Sequence, residues 1–347
     1  MRRRDFIATT LTAMPALALS NSWLSASSAQ AFVVRAGASR FGVPTPFYGV
    51  NPNDLKLSSK DTDGRLSTFE FTGLQRVGPS LHAHAGQDEM FFVLDGTYIF
   101  QLGQEKQQLQ AGDVIFLPRG VQHTWVQMSE RGQLFYFLQP AGKMEEYFLA
   151  VSKANGRETE EERARMRRDH GIQNFGPGLK ATDEHVLSAA LSQGFLVRAG
   201  RGRFGETTII DGVSANDIKV SGKDTGGELS IFEYHGRAKG GPPLHVHPNQ
   251  DEVFYVSQGD YVFQCGDGRH QLGKGDMIFL PRGIPHTFAQ VADVGRLLFF
   301  FQPSGRMEDF FRALGRIDGA PAPETGARIF AEHDMRVVGP PLSLTGR

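Results

Sequence analysis

The sequence predicts an all-β chain, two tandem jelly-roll-type β-barrels with short flanking helices. Three observations carry this. The chain repeats itself once. Short apolar runs alternate with Gly- and Pro-containing turns. Glycine is abundant, 41 of 347 residues against a usual ~7%, and 27 phenylalanines accompany it. The length suits about two domains at ~150 residues each. Lys plus Arg total 37 and Asp plus Glu 38. That balance excludes a dominant basic footprint for nucleic acid. A single cysteine, Cys265, excludes an internal disulfide and any all-cysteine metal site. No second cysteine or histidine pattern beside it would activate its thiol.

Residues 1–31 read as a twin-arginine-type signal peptide. Arg3-Arg4 precede Phe6-Ile7, Phe6 to Leu19 carries no charge, and Ala29-Gln30-Ala31 has the form of a cleavage site. The apolar stretch is too short and too weakly apolar for a membrane span, and no cysteine lies near the cleavage point to carry a lipid anchor. The expectation is a periplasmic or exported protein, secreted already folded, with no membrane attachment after signal removal. An ordinary secretory signal is the simpler alternative.

The repeat begins at once. Phe32-Val-Val-Arg-Ala-Gly37 matches Phe195-Leu-Val-Arg-Ala-Gly200, an offset of 195 minus 32, or 163. The same offset takes Lys60-Asp-Thr62 to Lys223-Asp-Thr225, His82 to His245, Gly112-Asp113 to Gly275-Asp276 and His123 to His286, without a gap. Two copies suit a pseudo-symmetric pair, whereas a solenoid needs three or more. The expected division is a first domain over 32–180, a linker over 181–194 and a second domain over 195–347.

Within a copy, Met90–Leu94 and Thr97–Leu102 flank Asp95-Gly96, a strong hairpin signal. Val114–Leu117 ends at the turn Pro118-Arg-Gly120, and Leu134–Leu138 at Gln139-Pro140. Short strands so punctuated indicate an antiparallel barrel or jelly roll. Helices are expected at Met144–Ser152 and Met307–Leu314. Thr159-Glu-Glu-Glu162 has the form of a capping box opening a helix from Glu160 to Arg168, acidic first and basic last, which suits the helix dipole. This segment reads as a solvated linker helix.

The chemistry lies in Gly78-x3-His82-x-His84-x4-Glu89-x6-Gly96, followed by Gly112-x5-Pro118-x-Gly120-x2-His123. Copy two has Gly241, His245, His247, Glu252 and Gly259, then Gly275, Pro281, Gly283 and His286. On a strand, positions i and i+2 share a face, so His82 and His84 both point into the barrel. Glu89 opens an apolar run, where a carboxylate is costly to bury unless it binds something. Three imidazoles and one carboxylate converging inside a barrel make a divalent metal site with positions open to water or substrate. Mn, Fe, Co, Ni and Cu all fit, up to two ions per chain. Any one histidine alone would read as a satisfied core residue. Six histidines and two glutamates at one spacing in both copies do not. His170 and His333 also share the offset and read as structural residues near a helix end. Asp88 and Asp251 have the opposite strand parity to the glutamates and are expected in exterior turns or at an interface.

These residues resemble the two cupin motifs, and the mature chain resembles a bicupin. The resemblance implies a six-to-eight-stranded barrel per copy and metal ligands His82, His84, Glu89 and His123, with His245, His247, Glu252 and His286. It says little about the reaction, since such barrels host many chemistries. Among bicupins the chain is most similar to quercetin 2,3-dioxygenases, in Val-Arg-Ala-Gly at the start of each copy and in Met307-Glu-Asp-Phe-Phe-Arg-Ala-Leu-Gly315. That likeness implies O2 attack on an enolic or phenolic aromatic whose proton passes to a metal-bound glutamate. Glu89 and Glu252 would then be the catalytic bases, their pKa raised by burial. Phe91, Phe100 and Trp125, with Phe254, Phe263 and Phe288, would line the pockets, as would Gln127 and Gln290 by strand parity. Most of these aromatics could equally be plain barrel core.

An oxalate decarboxylase or oxidase is the rival. That family places an arginine three residues before the first histidine. Here those positions hold Pro79 and Pro242, and Arg119 and Arg282, in the Pro-Arg-Gly turns, are expected to face solvent. A non-catalytic periplasmic metal- or small-molecule-binding protein is the other alternative. The expected partners are a small-molecule substrate and O2, with the oligomeric state open and a homodimer one expectation.

Overall fold

The computed structural model describes residues 30–344, so the proposed signal peptide lies almost wholly outside the described residues. Copy one contains β1 (Phe32–Val34), β2 (Asn53–Leu57), β3 (Ser67–Gly73), β4 (Leu81–His84), β5 (Asp88–Asp95), β6 (Thr97–Leu102), β7 (Glu105–Gln110), β8 (Val114–Leu117), β9 (His123–Gln127), β10 (Gly132–Gln139), α1 (Met144–Ala154), α2 (Glu160–Asp169) and β11 (Ile172–Gly176). Copy two follows with β12 (Phe195–Val197), β13 (Thr208–Ile210), β14 (Ser214–Val220), β15 (Ser230–Gly236), β16 (Pro243–Val246), β17 (Asp251–Gln258), β18 (Tyr261–Cys265), β19 (Gly268–Leu272), β20 (Met277–Leu280), β21 (His286–Gln290), β22 (Gly295–Gln302), α3 (Met307–Leu314), α4 (Pro323–Glu332) and β23 (Arg336–Pro341). The fold is all-β with two jelly-roll barrels, as the repeat predicts. Helix α4 is an addition to the sequence reading. Among the described residues no helix is long and apolar enough to cross a membrane.

Each barrel closes a large sheet over a five-stranded one. The first pairs β12-β8-β5-β10-β3-β2 with β11-β4-β9-β6-β7. The second pairs β1-β20-β17-β22-β15-β14-β13 with β19-β18-β21-β16-β23. The expected hairpin is present: β5 ends at Asp95 and Gly96 turns with φ 85°. A Cβ at Gly96 would meet the Arg131 carbonyl oxygen at 2.7 Å and Gly132 Cα at 2.8 Å, so the turn needs glycine on both counts.

The strand opening each repeat belongs to the other barrel. β1 pairs antiparallel with β20, Phe32 opposite Phe279, and β12 pairs with β8, Phe195 opposite Phe116. The ring pairs stack at 5.1 and 4.9 Å. Arg40 and Arg203 lie 3.6 Å over Phe32 and Phe195, each also held by an aspartate, Asp61 and Asp224, at 3.0 Å. Asp276 accepts from the Ala36 amide at 2.9 Å and the Arg35 guanidinium at 2.8 Å. Asp113 does the same for Ala199 and Arg198, both at 2.9 Å. Two fully buried lysines complete the anchors. Lys56 Nζ donates to the Ala38 carbonyl at 2.9 Å and Lys219 Nζ to that of Arg201 at 3.0 Å, and each meets a buried glutamate, Glu70 or Glu233. A buried lysine is tolerable only with such partners.

The large sheets pack face to face. Phe135, Phe137, Met90 and Phe92 of barrel one meet Tyr255, Val253, Leu298 and Phe300 of barrel two in one buried cluster. Phe135 and Tyr255 rings lie 4.8 Å apart, Phe137 and Phe300 5.1 Å. The alternate residues Leu134, Tyr136 and Leu138 fill barrel one, and Leu297, Phe299 and Phe301 fill barrel two. Apolar burial on both faces explains why β10 and β22 read as continuous apolar runs.

Removing one strand anchor should loosen the exchange. Asp276→Ala removes the acceptor of the Ala36 amide and of the Arg35 guanidinium, a loss of about 0.5–1.5 kcal/mol for each bond. Hydrogen exchange should then show faster exchange of the β1 amides than in wild type, with the denaturation midpoint lowered. Unchanged β1 protection would show that stacking alone holds the strand.

Candidate metal centres

Gly78 and Gly241 open the first motif because the chain crosses the neighbouring strand closely. A Cβ at Gly78 would lie 1.7 Å from the Trp125 carbonyl oxygen, and one at Gly241 1.9 Å from that of Phe288. This approach delivers β4 and β16 beside β9 and β21, with His82 opposite His123 and His245 opposite His286 in register. Glu89 and Glu252 enter from β5 and β17, whose alternate residues face the inter-barrel cluster.

The structure brings together all eight residues, in two groups of four. His82, His84, Glu89 and His123 offer ligand atoms within 4.8 Å of one another, as do His245, His247, Glu252 and His286. Glu89 Oε2 lies 3.0 Å from His123 Nε2 and 3.4 Å from His84 Nε2. Glu252 Oε2 lies 2.9 Å from His286 Nε2 and 3.6 Å from His247 Nε2. All are buried except His82, which is partly so.

The donor set fits a divalent cation. Nδ1 of His82, His123, His245 and His286 lies 2.8–2.9 Å from the carbonyl oxygens of Ser80, Val121, Pro243 and Ile284. Only an N–H satisfies a carbonyl, so in the neutral ring the proton sits on Nδ1 and Nε2 is a bare lone pair. That lone pair then faces a carboxylate oxygen at His123 and His286, and the Nε2 of His247 at 3.1 Å from His245. Acceptor against acceptor, in a buried site, calls for a cation between them. Ligands at right angles around one ion at about 2.1 Å are about 3 Å apart, close to the observed spacing. Burial, with the neighbouring imidazoles, holds His82 and His247 well below the usual histidine range and brings His245 down to about 3. These three rings are therefore neutral and ready to ligate near pH 7.

The two glutamates differ. At Glu252, burial outweighs the bond from His286 and raises the pKa, as expected. At Glu89, burial also pushes upward, but hydrogen bonds and charge from His123 and His84 overcome it and hold the carboxylate below its ordinary range. The expectation of a raised value thus fails at Glu89, because a second imidazole stands closer there.

A cavity of about 310 Å³ adjoins the first centre and one of about 270 Å³ the second, near the lower end for small-molecule sites. Phe91 and Trp125 line the first, Phe254 and Phe288 the second. Phe100 and Phe263 are core residues instead, fully buried. Gln127 and Gln290 are likewise structural: their amides donate to the backbone carbonyls of Gly73 and Ser129, and of Gly236 and Ala292.

Other expectations need correction. Asp88 and Asp251 are buried, not exterior. Each accepts the fork of Arg119 or Arg282, at 2.6 Å for the shorter bond, and the same arginine's backbone amide at 2.8 Å. These pairs tie β5 and β17 to the Pro-Arg-Gly turns, so the two arginines are engaged rather than simply solvent-facing. Cys265 does have a histidine neighbour, standing opposite His286 in register, but burial pushes its thiol up to about 11 and leaves it protonated. His170 and His333 end α2 and α4, their Nδ1 atoms 2.7 and 2.8 Å from the Met166 and Ile329 carbonyls. Helix α2 has its expected capping box, Thr159 with Glu162. It is not merely a solvated linker, however, since Arg163 and Arg167 form part of the first cavity's wall.

Elemental analysis should find up to two divalent ions per chain after loading with divalent metals. His82→Ala with His84→Ala should remove one equivalent and leave the other. Wild type that takes up none would overturn the assignment.

Comparison with known proteins agrees with the geometry. The family described as Cupin domain matches residues 73–137 and 231–301. Protein SchB of Streptomyces halstedii is 32% identical over 82 residues, covering 23% of this chain and 56% of that protein. An uncharacterized protein of Streptomyces coelicolor is 32% identical over 54 residues, covering 16% of this chain and 51% of that protein. The chain thus spans about half the length of the curated relatives it matches. Oxalate decarboxylase from Bacillus subtilis superposes with TM-score 0.55 at 14% identity, over 92% of this chain and 90% of its own. Procruciferin, an 11S globulin from Brassica napus, gives TM-score 0.56 at 10% identity, over 79% and 84%. At such identities the likeness is one of fold. Two jelly-roll barrels in one chain, each matched over part of its length by the Cupin domain family and each enclosing a three-histidine, one-glutamate cluster, are the architecture of this protein.

Proposed function

We propose that the protein is a metal-dependent dioxygenase acting on an enolic or phenolic, quercetin-like aromatic substrate. One observation carries the reading: a carboxylate stands among three imidazoles at the head of an aromatic-walled cavity, in both barrels. A divalent transition metal held by the His/Glu set would supply Lewis-acid and redox chemistry toward O2. The chain's own residues do the rest. Phe91 and Trp125, or Phe254 and Phe288, hold a flat ring and exclude water. Glu89 or Glu252 accepts the enolic or phenolic proton on a carboxylate oxygen and retains it in a dry site. The Nδ1 bonds to backbone carbonyls keep His82, His123, His245 and His286 in one tautomer throughout. Pro79 and Pro242, where an oxalate site would carry a cation, favour an aromatic ligand over a small dianion.

The test is oxygen consumption by the full chain, loaded in turn with Fe, Mn, Co, Ni and Cu, in the presence of a flavonol, catechol or oxalate. Uptake is expected with the first or second. Glu89→Gln and Glu252→Gln preserve size and should lower turnover by about 10²-fold or more where the glutamate is the base. Loss in only one variant would assign chemistry to one barrel. Uptake with oxalate alone, or with nothing offered, would replace this reading with an oxalate enzyme or a binding protein.

A further inference from the structure

The repeat allows the two cavities to be compared position by position, and their walls have diverged in one direction. With the 163-residue offset, Tyr147 of the first cavity becomes Phe310, Tyr136 becomes Phe299, and Arg167 of α2 becomes Phe330 of α4. Phe330 lies 5.1 Å, ring to ring, from the cluster residue His245, so this helix position stands over the site. Tyr48, at the first mouth, becomes Asp211 at the second. Among the described residues no lysine or arginine lines the second cavity. In the first, Arg163 is neutralised by Glu158 at 3.1 Å and by Glu160. Arg167 makes no ion pair among the described residues. It is partly buried and stands close enough to Tyr147 to oppose the rise that burial gives that phenol's pKa. One cavity thus holds, besides the Arg163–Glu158 pair, a guanidinium with no ion pair among the described residues, beside Tyr147 and an aromatic slot. The other holds a carboxylate and phenylalanines.

We propose that the two centres are not equivalent: the first takes a phenolic or enolic substrate that also bears a carboxylate or similar anionic group, anchored by Arg167, and the second excludes anions. A guanidinium fork suits a planar carboxylate and survives partial burial better than an ammonium. The phenolic part of this inference rests on the function proposed above; the anionic part does not.

Calorimetry on the zinc-loaded full chain separates the two, since zinc has no redox chemistry and permits binding without turnover. The probes are catechol, 3,4-dihydroxybenzoate and benzoate. Wild type should bind one equivalent of 3,4-dihydroxybenzoate per chain, roughly tenfold or more tighter than catechol, the size expected of one charge-assisted contact. Arg167→Gln should abolish that preference. Arg165→Gln, the same charge change on an exposed position of α2, should preserve it. Equal affinity for catechol and 3,4-dihydroxybenzoate, or a preference that survives Arg167→Gln, would overturn the anchor while leaving the phenolic reading intact. Arg167-dependent binding of benzoate as tight as that of 3,4-dihydroxybenzoate would keep the anchor and remove the phenolic reading. Failure of all three probes to bind would overturn both.

Discussion

The outer face of each large sheet carries a broad apolar patch, and much of the molecule follows from the need to cover it. Phe135, Phe137, Tyr255 and Phe300 cannot face water over so wide an area without favouring association. The barrels cover one another, and the exchanged strands β1 and β12 extend the seal across the seam. A single barrel would expose this surface and lose one edge strand. The pair is thus the structural unit, although the repeat is a sequence of one barrel's length.

This double burial also pins the centres. On β5, Met90 and Phe92 face the seam while Glu89, Phe91 and Val93 face the barrel interior. A one-residue slip would put Met90 among the histidines and the glutamate between the barrels. The bulky seam therefore sets the register that aims the carboxylate. The Asp88–Arg119 and Asp251–Arg282 pairs fix the neighbouring turns, from which His123 and His286 emerge three or four residues later. Backbone carbonyls then orient four of the six imidazoles. The precision of each cluster comes from sheet register and backbone geometry, with little demand on the side chains beyond their identity.

On so rigid a frame the cavity walls are free to vary. The cluster geometry is nearly the same in both halves, yet the surfaces over it differ in polarity and charge. Two of the four differences, Tyr147 against Phe310 and Arg167 against Phe330, sit on α1 and α2, and on α3 and α4, which carry no register constraint. This is where a duplicated fold acquires separate specificities without disturbing its sheets.

The fold class, the repeat and all eight cluster residues were legible in the sequence, because each depends on local rules. Strand periodicity places His82 and His84 on one face, the Asp-Gly turn marks its hairpin, and the constant offset turns eight unremarkable residues into two matched sets. What tertiary structure alone decided involves partners far apart in the chain. Which barrel receives β1 and β12 depends on a seam whose two sides are roughly 150 residues apart. Asp88 is buried because Arg119 reaches it, and Lys56 because a carbonyl of an exchanged segment and Glu70 await it. The sign of the Glu89 shift depends on how near a second imidazole stands, which no spacing records. Helix α2 shows the limit most plainly. Its cap and charge order predict a helix correctly, but whether Arg167 meets water or a cavity depends on where that helix packs, and packing is a property of surfaces that the linear chain only brings together once folded.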